Sequence, residues 1–67
     1  MFKQYQAVKI IRDLNSSIKE GIRGVILETF NNDRYEVEFL DENGMNFSFD
    51  NQFTFTLSGK DLESIEV

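Results

Sequence analysis

The chain has 67 residues, with 12 acidic and 7 basic side chains and a formal net charge of −5. It contains no Cys and no His, which excludes a disulfide framework, a thiolate or imidazole metal site, and any catalytic site built on either side chain. Residues 1–67 are predicted to form a single domain, whose core supplies only about 3–5 kcal/mol of stability.

Charge is distributed unevenly along the sequence. Residues 1–23 carry five basic and two acidic side chains, whereas residues 24–67 carry two basic and ten acidic ones. A surface as acidic as the second part repels nucleic-acid phosphates and attracts basic proteins. The charge pattern therefore favours a protein partner and argues against nucleic acid.

Apolar runs are short, the longest being residues 25–27, whereas a membrane-spanning helix needs about 20 apolar residues. The first residues lack the apolar core of a signal peptide. Together with the absence of Cys, these features predict a cytoplasmic protein without a membrane segment.

Turn-forming residues divide the first part of the chain into segments of strand length. Val and Ile favour a first strand at residues 7–11 and a second at residues 24–30. The Asn-Asn-Asp turn at residues 31–33 leads into a third strand at residues 35–39, in which apolar and acidic residues alternate. The alternation places Glu36 and Glu38 on one face of the strand and the aromatic and Val side chains on the other.

The second part continues the same pattern. An acidic turn at residues 41–44 is followed by two segments with alternating Phe, residues 46–49 and 53–57. Ser58 is predicted to cap a short helical turn within residues 61–65 that runs into a final strand. The sequence thus predicts an all-β fold: a small antiparallel barrel of four to five strands, with at most a short helical turn near the C-terminus.

Two glycines, Gly21 and Gly24, precede the second strand, and the Tyr-Glu-Val-Glu-Phe strand and the Asp-Glu-Asn-Gly turn follow in that order. This succession resembles SH3-like barrels and is similar to the small bacterial family called domain of unknown function 4926. The resemblance implies an SH3-like barrel of bacterial origin. Some members of such small families accompany secreted toxins as immunity proteins.

The glycines also have a physical interpretation of their own. Gly21 is expected to end a loop in a conformation that a Cβ would hinder, and Gly44 to take a positive φ in its turn. Gly24 is expected to permit a close approach of two strands or a bulge.

Paired carboxylates are the first candidate site. Glu36 and Glu38 are about 7 Å apart along one strand face, a separation that suits glycoside hydrolysis. Such chemistry needs a concave pocket, for which a barrel of this size has little room, so a solvated or partner-binding face is the preferred interpretation. Residues 41–44 lack the ligand spacing of a calcium loop and are read as a hairpin turn.

Aromatic residues form the second candidate. Phe47, Phe49, Phe53 and Phe55 keep strand parity on either side of a turn, which favours pairing across a hairpin in the core. The alternative is an exposed aromatic patch for a partner.

The third candidate is a basic group made of Lys9, Arg12, Lys19 and Arg23, which could bind nucleic acid. No run of basic residues accompanies it, and the acidic remainder of the chain opposes this reading.

The resulting hypothesis is a non-enzymatic acidic protein-binding module without cofactor or metal, most concretely an immunity or antitoxin protein that occludes a basic toxin domain. Its charged contacts would be Glu36, Glu38, Asp41, Glu42 and Asp50, and its apolar anchors Phe47, Phe49 or Tyr35. The alternatives are a barrel associated with nucleic acid or the ribosome, and a structural accessory domain. The expected state is a monomer or a weak homo-oligomer that pairs through an edge strand.

Overall fold

The computed structural model describes residues 2–46, 48 and 51–65. Five antiparallel strands in this part of the chain form one sheet, and a 3-10 turn at Gly59–Asp61 separates the last two. The strands are β1 (Ala7–Ile10), β2 (Arg23–Phe30), β3 (Arg34–Leu40), β4 (Thr54–Ser58) and β5 (Leu62–Ser64). The predicted all-β fold with one short helical turn near the C-terminus is confirmed.

The strands lie in the order β4-β3-β2-β1-β5. Consecutive strands pair from β1 to β4, and β5 returns to pair with β1. This order agrees with the predicted SH3-like barrel. Within the described ranges, no helix is long and apolar enough to cross a membrane.

The core lies on one face of the bent sheet, where β3 contributes Tyr35, Val37 and Phe39, each almost fully buried. Among the described residues, the other buried apolar side chains are Val8, Ile10, Ile18, Ile26 and Leu62. Tyr35 stacks edge-on against Phe2, with ring centroids 5.3 Å apart, and its hydroxyl donates to Asp33 Oδ1 at 2.9 Å. The alternation predicted for this strand is therefore confirmed.

The long connection between β1 and β2 also contributes to the core. Asn15 Oδ1 accepts hydrogen bonds from the backbone N–H groups of Ser17 and Ile18, at 2.7 and 2.8 Å. This side chain replaces the missing backbone acceptor of a turn. The turn places Ile18 in the core although it belongs to no strand.

The glycines behave as their sequence context predicts. Gly21 and Gly44 have φ values of +96° and +80°, which side chains with a Cβ rarely adopt. Gly24 faces Phe39 across β2 and β3, and a Cβ there would lie 2.8 Å from both Glu38 O and Val37 Cγ1. Gly24 therefore permits the close strand approach that was predicted.

Two local predictions are wrong in their boundaries. The helical turn is at Gly59–Asp61, before Leu62, because the Ser58 hydroxyl accepts from Lys60 N and starts the turn immediately. Within the predicted strand at residues 46–49, Asn46 forms an isolated bridge with Leu40, and Ser48 is in no strand. Phe47 and Phe49 lie outside the described residues.

Candidate functional site

Glu36 and Glu38 lie on the outer face of β3, opposite the core, and both are half-buried. On the β4 side, Thr56 pairs with Glu36 and Thr54 with Glu38. Directly paired residues of two strands project to the same face of the sheet. The outer face of β3 and β4 is therefore lined by two carboxylates and two hydroxyl groups.

Hydrogen bonds hold these carboxylates in place. Thr54 Oγ1 donates to Glu36 Oε2 and Thr56 Oγ1 donates to Glu36 Oε1, both at 2.8 Å. Asn46 Nδ2 donates to Glu38 Oε2 at 3.3 Å. These donors are neutral, and each carboxylate retains lone pairs that can accept hydrogen bonds from a cationic partner.

A third carboxylate, Glu28, completes the group and was missed in the sequence. It lies directly opposite Glu36 across β2 and β3 and is exposed. Glu28, Glu36 and Glu38 are called the acidic stripe below.

A β-bulge explains why Glu28 was missed. The register of β2 on β3 shifts between Ile26 and Glu28, so that Leu27 is an extra residue. Simple alternation from the buried Ile26 would point Glu28 toward the core, whereas the extra residue turns it outward. The N-terminal segment packs at this point, since Gln4 Nε2 donates to Leu27 O at 3.0 Å.

Replacing Glu28 with glutamine is expected to raise the free energy of unfolding by about 0.2–1 kcal/mol, because like charges directly opposite each other destabilise a sheet. Urea titrations in low and high salt would measure the change, which should shrink as salt screens the repulsion. Glu63→Gln is the matched control, because Glu63 lies opposite Lys9 and its neutralisation should lower stability. Equal effects of the two substitutions would contradict the expectation.

Of the other predicted acidic contacts, Asp41 and Glu42 lie at the turn after β3 and not on a strand. Asp41 Oδ1 accepts from the backbone N–H groups of Asn43 and Met45, at 2.8 and 3.0 Å, so this carboxylate stabilises the turn after β3. These contacts support the hairpin-turn reading. Glu42 is exposed beside it, and Asp50 lies outside the described residues.

A shallow cavity of about 600 Å³ lies next to that turn. Its walls come from the end of the β1–β2 connection and the end of β3, and they include Glu20, Ile22, Arg23, Leu40, Asp41 and Glu42. Neither Glu36 nor Glu38 lines it. This cavity therefore gives no support to the glycoside-hydrolysis interpretation of the two strand carboxylates.

The aromatic residues are divided between core and surface. Phe55 is half-buried and packs on Phe39, with ring centroids 5.2 Å apart. Phe53 is 51% exposed, so the prediction that it packs in the core is wrong. It lies just before β4, beyond the last pair of the β3–β4 ladder, which joins Glu38 and Thr54. Tyr35 is 2% exposed and cannot serve as the predicted surface anchor.

The basic residues are dispersed among acidic ones. Arg12 Nη2 lies 2.5 Å from Oδ1 of the buried Asp61, and the two groups form an ion pair whose angles do not meet hydrogen-bond criteria. Lys19 Nζ lies 3.7 Å from Asp13 Oδ2. Lys9 and Arg23 are paired across β1 and β2, and Lys9 also faces Glu63 on β5. The four cations therefore form no uninterrupted basic patch.

A related protein of known function would help to interpret the acidic stripe, the turn after β3 and the basic residues. No protein-family model, curated protein or solved structure matches the chain. The resemblance to the bacterial family accordingly stays a prediction. What the site can do follows from its chemistry alone: a row of one exposed and two half-buried carboxylates on a sheet can bind a cationic surface by charge and hydrogen bonding.

Proposed function

We propose that this protein is a non-catalytic binding module whose acidic stripe receives a basic protein surface. The observation that carries the proposal is the placement of Glu28, Glu36 and Glu38 side by side on the outer face of β2 and β3. Most concretely, the module is a bacterial immunity or antitoxin protein, which binds a basic toxin domain and occludes its active surface.

Electrostatics and rigidity support this function. The net charge of −5 steers a cationic partner toward the protein and raises its association rate at low salt. The Glu36 carboxylate is already fixed by two threonine hydroxyls, so little side-chain entropy is lost when a partner binds. Apolar contacts would come from Phe53 and Met45, both more than half exposed, together with the predicted anchors Phe47 and Phe49.

The nucleic-acid alternative receives less support. Binding to phosphates needs several cations that are free to contact one strand. Arg12 and Lys19 are each paired with an aspartate, and Lys9 faces Glu63. The structural accessory domain stays as the second alternative, without a specific observation that favours it.

Affinity capture with a matched pair of variants tests the proposal. The native protein, a Glu28→Gln/Glu36→Gln/Glu38→Gln variant and an Asp13→Asn/Glu20→Gln/Glu63→Gln control are immobilised and exposed to native lysate at low salt. Both variants lose the same charge, but only the first loses the acidic stripe. We expect a basic protein to be retained by the native and control columns, released by salt, and lost from the stripe variant.

Two results would count against this function. Equal retention on all three columns would show non-specific attraction to an acidic protein. Nucleic acid in the salt eluate of the native column would favour the barrel that associates with nucleic acid.

A further inference from the structure

β4 forms one edge of the sheet, and within the described ranges no strand pairs with its outer side. Edge strands are commonly protected by charged residues, proline, bulges or very short length. The opposite edge, β5, has only three residues and carries Glu63. By contrast, β4 has the five-residue sequence Thr-Phe-Thr-Leu-Ser, with no charge, no proline and a regular register on β3.

The core-facing side of β4 is incompletely covered. Val37 and Tyr35 on β3 are almost fully buried, whereas Phe55 and Leu57, which pair with them on β4, are only half-buried. An additional strand next to β4 would cover these two side chains with apolar residues of its own.

The outward-facing side chains of β4 are polar, unlike the apolar side chains on its core-facing side. Thr54 and Thr56 are neutral, and beyond them lie Glu38 and Glu36. A strand added to β4 would lie two inter-strand spacings from β3, about 10 Å away. A lysine or arginine side chain that points outward from the added strand is long enough to span most of this distance. Outward positions of the added strand would therefore favour basic residues.

We propose that β4 accepts an extended segment of the partner as an additional strand, and that this segment alternates basic with apolar residues. This inference rests on the proposed function and names the part of the partner that binds. Backbone hydrogen bonds to β4 give affinity, the apolar residues cover Phe55 and Leu57, and the basic residues reach Glu36 and Glu38.

Peptide titration monitored by amide NMR tests the inference without altering the protein. The probe is a short acetylated and amidated peptide in which Lys and Val alternate. One control has the same composition with all Lys before all Val, and the other keeps the alternating order but carries N-methyl groups on every backbone amide. We expect shifts centred on residues 54–58 and affinity at least about tenfold weaker for both controls, since N-methylation removes several hydrogen bonds.

Equal affinity for the N-methylated peptide, or shifts centred on the cavity at residues 20–23 and 40–42, would overturn the inference. Concentration-dependent self-association that broadens the β4 amides would overturn it too, because a second copy would then be the occupant. If the peptide does not bind while capture on the columns still depends on the acidic stripe, the strand-addition inference fails and the proposed function stands. Loss of stripe-dependent capture would instead reject the proposed function itself.

Discussion

Replacing Gly24 with alanine is expected to remove a large part of the protein's free energy of unfolding. The new Cβ would lie 2.8 Å from Glu38 O, 2.8 Å from Val37 Cγ1 and 3.3 Å from Phe39 Cδ1. One of these atoms is backbone and the other two belong to side chains with no exposed surface, so none of them can move aside cheaply. Overpacking of this kind costs about 1–3 kcal/mol or more, a large part of the stability of so small a core.

Gly44→Ala provides the matched control for that substitution. A Cβ at Gly44 would meet no atom within 4 Å, although its φ of +80° makes the substitution moderately strained. That strain costs about 1–2 kcal/mol. Urea unfolding followed by far-UV circular dichroism would compare the two variants. A Gly24→Ala protein as stable as the native protein would refute the close packing of β2 on β3.

Truncating Phe39 to alanine is expected to have an effect at least as large. Phe39 is 0% exposed, packs on Phe55 and lies opposite Gly24. Removal of a buried phenylalanine side chain costs about 3–5 kcal/mol, which equals the whole stability expected of a chain of this length. The variant should show no cooperative thermal unfolding transition and little of the native near-UV circular dichroism signal.

Phe53→Ala is the corresponding surface control, because Phe53 is 51% exposed. Its truncation should change the unfolding midpoint only slightly, and a thermal melt of the two variants beside the native protein would measure the difference. If both phenylalanine variants were destabilised alike, the assignment of Phe53 to the surface would be wrong.

The strand pattern on β3 could be predicted from the sequence because its physical cause is local. Tyr35, Val37 and Phe39 alternate with Glu36 and Glu38, and the two-residue period of a strand decides which face each set takes. Gly44 was recognisable as a turn residue for the same reason, since its positive φ concerns only its own backbone.

Features that depend on distant parts of the chain could not be predicted in this way. Glu28 faces outward only because the register shifts at Leu27, where the N-terminal segment packs. Arg12 was assigned to a basic group, yet it pairs with Asp61, which the 3-10 turn brings beneath it. No local periodicity encodes either contact, because each is decided by how two remote segments meet.

The pairing of β5 with β1 has a consequence for the order of folding. The pairs β2–β3 and β3–β4 join neighbouring segments, whereas Ile10 pairs with Leu62 from the other end of the described chain. Closing so long a loop costs chain entropy before any contact compensates for it, and proteins rich in such pairings fold slowly. We therefore expect β2, β3 and β4 to assemble first and β5 to dock last. During synthesis, one edge of β1 would therefore stay unpaired until Leu62–Ser64 has left the ribosome.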